Sequence, residues 1–257
     1  MKVVILAGGY GTRLSEITTN IPKPLVEISG KPLIWYIMKI YASQGFNDFI
    51  VACGYKGEKL KEYFMNLSLV SNDYSIDFKN NKISILKENK GEDWKVTLVD
   101  TGLNTLTGGR IKAIKDYIDG DTFMLTYGDG VADIDIQKLL TFHKTHGKKA
   151  TLTVVKMPRY GIVDVFENGQ IKAFHEKRLE NSPLINGGFM ILSKSVLDYI
   201  DKDVPFETTP MEKLSADNEL YGYRHEGFWK AVDTLRDKIE LEDILTDPKS
   251  QVKLWKD

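Results

Sequence analysis

Lys2-Val3-Val4-Ile5-Leu6-Ala7-Gly8-Gly9-Tyr10-Gly11-Thr12-Arg13-Leu14 is the stretch whose reading decides the fold. Residues 3–7 form an unbroken apolar run with no polar alternation, the pattern of a strand buried on both faces of a parallel sheet. The run passes straight into Gly8, Gly9 and Gly11. Glycines just past a first α/β strand let the backbone approach an anion, with N–H groups turned toward phosphate oxygens. Two familiar phosphate loops do not fit. No Gly-Lys-Ser/Thr follows, which excludes a P-loop. The third glycine of the dinucleotide fingerprint is missing, and no acidic residue ends the next strand-like segment, residues 49–53. A plain strand-to-helix turn would use the same glycines. Arg13 in the loop, and Lys23 between Pro22 and Pro24, weigh against that reading. A guanidinium forks onto two phosphate oxygens and an ammonium acts as a point charge, so the pair suits a polyphosphate.

Strand-like and helix-like segments alternate outward from this loop. Pro32 opens a helix that places Leu33, Ile34, Ile37, Met38 and Tyr41 on one face, with Gly45 at its C-terminal stop. Residues 49–53 read as a buried strand and 56–64 as a helix. After a polar stretch, 82–86 and 95–99 read as strands, 110–118 as a helix and 122–126 as another apolar strand. A helix over 136–146 and a strand over 150–155 follow. Residues 163–167 and 170–174 flank Asn168-Gly169, the signal of a β-hairpin with a type I′ turn. The fold expected is α/β: a doubly wound, mostly parallel, Rossmann-like sheet with antiparallel β additions in the C-terminal half, built as a single domain over 1–257.

Composition narrows the function classes. A formal net charge of −1, with no run of Lys/Arg interleaved with aromatics, argues against a nucleic-acid partner. The apolar run near the N-terminus is too short for a secretory signal, and no stretch reaches the roughly 18 apolar residues of a membrane span. The lone cysteine, Cys53, suits a reducing compartment. A cytoplasmic enzyme without a membrane partner is the expectation.

Carboxylates at strand ends are the natural complement to a polyphosphate loop. Asp129, in Tyr127-Gly128-Asp129-Gly130, follows the strand over 122–126, at the end where doubly wound folds bind ligands. Asp233, in Ala231-Val232-Asp233-Thr234, is a second such position. Mg²⁺ takes one or two carboxylates and completes its octahedron with phosphate oxygens and water. Either aspartate alone would more often be a turn or cap residue. Asp133 and Asp135 precede a helix and are read as favouring its positive end. His143 and His146 are read as surface residues, since two ligands make no metal site. Trp35, Tyr36 and Tyr41 are read as core, and Cys53 as an inert buried thiol.

The stretch from Leu6 to Leu14, taken with Pro22-Lys23-Pro24, closely resembles the signature of the sugar-1-phosphate nucleotidyltransferases. The resemblance implies that Leu6, Ala7, Gly8, Gly9, Tyr10, Gly11, Thr12, Arg13, Lys23 and Gly128 hold a nucleoside triphosphate. It implies that Asp129 and Asp233 chelate Mg²⁺, with Arg13, Lys23 and Asp129 as the catalytic set. It also implies that Glu176, Lys177, Asn186 and Gly187 hold the sugar phosphate. Arg178 stands where that family usually has proline, which bears on the loop around Lys177.

Further segments are similar to a narrower group, the glucose-1-phosphate cytidylyltransferases. They are Val96 to Gly102, Thr107-Gly108-Gly109-Arg110, Tyr127 to Asp133, His146 to Thr153 and Asp233-Thr234-Leu235-Arg236-Asp237. That likeness adds Thr105 and Arg110 to the nucleotide pocket. It implies CTP and glucose 1-phosphate as substrates, CDP-glucose bound for deoxyhexose and surface-polysaccharide (O-antigen) synthesis, and a homo-oligomer, a hexamer by family pattern. Three alternatives stand beside it: a uridylyl- or thymidylyltransferase, a different hexose phosphate, or a catalytically silent subunit that only binds nucleotide sugars. The silent subunit would have lost a charged site residue, whereas Arg13, Lys23, Asp129 and Asp233 are all present.

Overall fold

The computed structural model describes residues 1–88, 91–157, 162–165, 170–175 and 183–255. Four parallel strands carry the first half: β1 (Val3–Ala7), and later β4 (Asp48–Cys53), β7 (Lys95–Asp100) and β8 (Thr122–Tyr127). Two short strands, β2 (Glu27–Ile28) and β3 (Lys31–Pro32), form a turn before helix α2 (Leu33–Ala42); a single turn, α1 (Ser15–Thr18), precedes them. Helix α3 (Gly57–Val70) and the hairpin β5 (Asp73–Asp77)–β6 (Lys82–Lys87) separate β4 from β7. Helix α4 (Thr107–Ala113) leads to β8. The second half adds β9 (Gly130–Ala132), α5 (Ile136–His146), β10 (Ala150–Lys156), β11 (Ile162–Val165), β12 (Ile171–His175), β13 (Leu184–Asn186) and β14 (Met190–Ser193). It closes with α6 (Thr209–Ala216), β15 (Leu220–His225), β16 (Trp229–Ala231) and α7 (Leu235–Thr246).

One eight-stranded sheet unites both halves. β7, β4, β1 and β8 lie side by side and parallel, β14 joins β8 antiparallel, and β10 pairs with β13, β14 and β15. From β1 the chain steps outward to β4 and β7, then returns to place β8 on the other side of β1. The loops leaving β1 and β8 therefore diverge, opening a crevice at their carboxyl ends, where doubly wound sheets bind ligands.

The unbroken apolar reading of β1 has a direct cause. Val3, Ile5 and Ala7 pack on one face with the α2 residues Ile34, Ile37 and Tyr41, while Val4 and Leu6 pack on the other with Ile111, Phe123 and Phe206. Both faces are dry, so neither tolerates a polar residue. Tyr36 and Tyr41 are core residues and Trp35 packs partly buried against them. Gly45 takes a left-handed conformation just past α2, with φ of 88°.

Several expectations need correction. Residues 73–77 form a strand rather than a polar connection, because Tyr74 and Ile76 pair across β6 with Ile85 and Ile83. The helix over 56–64 runs on to Val70. The helix over 110–118 starts at Thr107, ends at Ala113, and gives way to a 3₁₀ turn over Lys115–Tyr117. Antiparallel additions occur in both halves, not only the second. Asp135 does cap α5, accepting from Lys138 N at 2.8 Å, but Asp133 pairs with His225 Nε2 at 3.0 Å instead. His143 is buried, not at the surface, and shares the Thr151 hydroxyl with His146 at 2.8 Å each. The β11–β12 hairpin forms as expected, although its Asn168-Gly169 turn lies outside the described residues. No helix among the described residues is long and apolar enough to cross a membrane.

Candidate active site

The glycine loop and the end of β8 wall a cavity of about 400 Å³ at the carboxyl edge of the sheet. Leu6, Ala7, Gly8, Gly9, Tyr10, Gly11, Thr12, Arg13 and Lys23 line one side of it; Thr105, Arg110, Gly128 and Asp129 also face it. Every position expected to hold the nucleotide is there. Local geometry explains the loop's composition. Gly11 sits at φ 64°, the left-handed region where a side chain is costly, and Leu14 N closes the turn onto its carbonyl at 2.9 Å. A Cβ on Gly9 would enter open space, so its backbone faces the cavity bare. Gly128 is required for packing: a Cβ there would fall 2.9 Å from both Leu6 O and Pro24 Cγ.

Four charged groups meet at the cavity's edge. Lys23 Nζ lies 2.7 Å from Asp129 Oδ2 and 2.8 Å from Asp233 Oδ1, and Arg13 Nη1 lies 2.8 Å from Asp233 Oδ2. The fold brings the aspartates together through a small antiparallel ribbon. β9 pairs with β16 so that Gly130 faces Ala231, and Asp129 O accepts from Val232 N at 2.9 Å. Asp233 is in turn fixed by the start of α7, where Asp237 Oδ2 accepts from Asp233 N at 3.2 Å and closes a capping box with Thr234. The two carboxylates thus share one cation, the Lys23 ammonium. That donor set fits Mg²⁺, which uses one or two carboxylates beside phosphate oxygens. Among the described residues no group of three or more His, Cys, Asp or Glu forms a fuller metal cage.

Arg110 is expected in the nucleotide pocket and does face it, yet its side chain is almost wholly buried and its donors point inward. Nη1 donates to Cys53 O, Thr101 Oγ1 and Gly102 O, and Nη2 to Gly8 O and Leu103 O, at 2.6–3.2 Å. It clamps the ends of β1, β4 and β7 to the loop over 102–106. Gly8 and Gly54 make room for it, since a Cβ on either would come within 2.3 Å of the guanidinium. Burial holds the Arg110 pKa below its usual value. Burial also pushes the neighbouring Cys53 thiol up to about 11, consistent with an inert group.

Asn186 and Gly187 are not among the residues lining the cavity; Asn186 reaches its wall through Tyr127, with Asn186 Nδ2 donating to Tyr127 Oη at 3.0 Å and Asn186 Oδ1 accepting from Gly188 N at 2.8 Å. Gly187 is packed tightly: its N–H donates to Thr153 O, its carbonyl accepts from Trp229 Nε1, and a Cβ would meet Val155 at 3.0 Å. Glu176, Lys177 and Arg178 lie outside the described residues. Sequence reasoning missed Tyr127, Asn104 and Thr107 as cavity-lining residues. Tyr10 Oη donates to Asn104 Oδ1 at 2.6 Å, so the glycine loop and the loop over 102–106 meet above the cavity. No residue pattern announces such a contact; it depends on where two distant loops end.

A cavity walled by a glycine-rich loop, with paired aspartates and two cations at its edge, is what a nucleotidyl transferase requires. The nucleotidyl transferase family model matches residues 2–247, and the chain belongs to that family. The glucose-1-phosphate cytidylyltransferase of Salmonella typhi is 48% identical over 258 residues, spanning 99% of this chain and 100% of the relative. The enzyme of the same name from Salmonella typhimurium strain LT2 matches to the same extent. Among solved structures, HddC from Yersinia pseudotuberculosis is similar with a TM-score of 0.68 at 25% identity, covering 95% of this chain and 99% of that one.

Proposed function

We propose that this enzyme joins CTP and glucose 1-phosphate to give CDP-glucose and pyrophosphate. The observation that carries the reading is the convergence of Arg13, Lys23, Asp129 and Asp233 at the edge of the glycine-loop cavity. The choice of cytosine and glucose is supported by full-length likeness to proteins of that name.

In the reaction, a phosphate oxygen of glucose 1-phosphate attacks the α-phosphorus of CTP. The bond from that phosphorus to the bridging oxygen breaks, and pyrophosphate leaves with the electron pair. The nucleophile is already an anion, so no general base is needed. The task is to hold two polyanions in line against their repulsion. Bare loop N–H groups from Gly8 to Gly11 receive phosphate oxygens. Arg13 neutralises the leaving pyrophosphate, Lys23 turns from the aspartates to the triphosphate, and Lys177 serves the sugar phosphate. Asp129 and Asp233 would hold Mg²⁺, which when bound screens the phosphate charge. Glu176, Asn186 and Gly187 take the sugar, and Thr105 and Arg110 shape the base pocket.

The chain is read as one catalytic domain, because both halves contribute strands to the main sheet. A homo-oligomer, a hexamer on the family pattern, is supported by the β5–β6 hairpin. Tyr74, Ile76, Ile83 and Ile85 share one exposed face of it, beside Phe78 at 86% exposure. Such a patch is normally covered, here by a second copy. A CTP-dependent enzyme with a buried, reduced Cys53 belongs in the cytoplasm, upstream of surface-polysaccharide sugars. The test is incubation with Mg²⁺, glucose 1-phosphate and each nucleoside triphosphate in turn, with pyrophosphate measured. CTP is expected to release it fastest; release with no nucleotide would remove the reading.

A further inference from the structure

Four polar side chains form one chain of hydrogen bonds across the cavity wall. Glu207 accepts from Tyr127 Oη on one carboxylate oxygen and from Thr107 Oγ1 on the other, both at 2.6 Å. Tyr127 Oη also accepts from Asn186 Nδ2 at 3.0 Å, and Thr107 Oγ1 accepts from Phe206 N at 2.8 Å. Each hydroxyl therefore has its acceptor role filled and a single proton left, and both protons go to Glu207. That fixes the donor direction along the whole chain. Glu207 is exposed, so these bonds act on the site by fixing orientation rather than by adding much stability.

The chain joins two parts of the site that share no sequence neighbourhood. Thr107 faces the cavity at the start of α4, continuous with the loop that carries Asn104 and Thr105. Tyr127 faces the cavity at the end of β8, immediately before Gly128 and Asp129. Asn186 is held from its other end by Gly188 N, in a left-handed turn over Gly188 and Phe189. Glu207 itself, in the segment before α6, is not among the residues lining the cavity. It sits outside the wall and grips it from both sides.

We propose that Glu207 is a positioning residue for the transfer. It sets the spacing between the sugar side of the site, Tyr127 and Asn186, and the nucleotide side, the loop leading into Thr107. The role follows from geometry: one carboxylate fixes two cavity-lining hydroxyls, one of them on the residue two before the candidate metal ligand Asp129. It rests on the reading of Asn186 as a sugar-side residue. Loss of Glu207 frees the Tyr127 phenol and lets Asn186 turn away, while the start of α4 stays anchored by Phe206 N on Thr107 Oγ1 and by Val204 O on Gly108 N, so the sugar phosphate loses its alignment and the nucleotide side remains.

The experiment compares the wild type with Glu207→Ala, Glu207→Gln, Tyr127→Phe and the Glu207→Ala/Tyr127→Phe double variant. It reads kcat and both KM values, with thermal melts alongside. Glu207→Ala should raise KM for glucose 1-phosphate and lower kcat, together costing roughly 10–100-fold in kcat/KM for that substrate, with KM for CTP changed by less than about threefold. Glu207→Gln keeps one acceptor and should recover a good part of the loss. The double variant should be little worse than the worse single, because the two side chains act as one device. An active wild type beside a folded Glu207→Ala that matches it within about twofold overturns the proposal. So do equal changes in both KM values, or a double variant whose losses multiply. If Glu207→Ala does not fold, Glu207→Asp, whose shorter side chain cannot reach both hydroxyls, decides by the same criteria. A wild type that fails to turn over glucose 1-phosphate overturns the underlying reading and the proposal with it.

Discussion

The Lys23 ammonium stands 2.8 Å from Asp233 Oδ1, although the two residues are 210 positions apart in the chain. With Asp129 at 2.7 Å on the same nitrogen, a cation already occupies the place between the two carboxylates. Two carboxylates this close would repel each other strongly without one. The site therefore rests with its own cation in place; on the proposed reading, Asp129 and Asp233 would hold Mg²⁺ and Lys23 would turn to phosphate.

Asp129→Asn and Asp233→Asn retain shape but remove charge from that pair. Each should lower kcat by roughly 10²–10³-fold, on the order of 3–4 kcal/mol. The double variant should lose far less than the product, since the pair acts as one site, and added Mg²⁺ should partly restore each single. Asp133→Asn is the control; it touches His225 rather than the site and should keep near-normal turnover. Steady-state kinetics against Mg²⁺ for all four proteins checks this. A folded Asp233→Asn enzyme with normal kcat would remove Asp233 from the metal pair.

Adjacent glycines should separate binding from folding. Gly9→Ala adds a methyl to open space and should melt like the wild type, yet weaken nucleotide binding at least tenfold by standing where a phosphate must approach. Gly8→Ala puts its methyl 2.2 Å from Arg110 Cζ and should destabilise the protein by about 1–3 kcal/mol. Calorimetric CTP binding and denaturant melts of both variants supply the comparison; equal CTP affinity in Gly9→Ala and wild type would contradict the loop's role.

Arg110→Lys is not a conservative change here. One ammonium cannot serve five acceptors spread over three strand ends and a loop. Lys and Ala variants should both lose about 2–4 kcal/mol in urea unfolding, and both should bind CTP more weakly. A Lys variant as stable as wild type would show that the clamp is dispensable.

The contrast between Arg110 and Lys23 shows what was legible in the sequence. Residues 3–7 disclosed a buried parallel strand because both faces are dry, and Gly8 to Arg13 disclosed an anion loop because few other uses combine those residues. Lys23, Asp129 and Asp233 could be named because the family signature singles them out; alone, an aspartate at a strand end is more often a turn or cap residue. Arg110 could be placed at the pocket only through the family likeness, and its clamp on three strand ends was not legible, because sequence cannot say which way a guanidinium points. Glu207 carried no signal at all, as its role depends on two hydroxyls 80 and 100 positions away. His143 was misplaced for a similar reason: only the packing of α5 against β10 makes it a buried partner of Thr151.

That burial predicts a pH dependence of stability. His143 is held down to about 4 by burial first and by His146 second, against about 6.5 when unfolded. The unfolded chain therefore binds more protons between those values, and stability falls as pH drops from about 6.5 toward 4. The full contribution is up to about 3 kcal/mol, lost by about pH 4. His143→Asn, which cannot titrate, should unfold with a shallower dependence between pH 7 and 5. Parallel slopes for the two proteins in urea titrations would contradict the assignment.

Competition among nucleotides decides the identity of the reaction. Equal concentrations of CTP, UTP, dTTP, GTP and ATP are mixed with glucose 1-phosphate, Mg²⁺ and enzyme, and the nucleotide sugars formed early are quantified by mass spectrometry. CDP-glucose is expected as the dominant product, with matching pyrophosphate. Faster accumulation of UDP-glucose, dTDP-glucose or any other nucleotide sugar would contradict it.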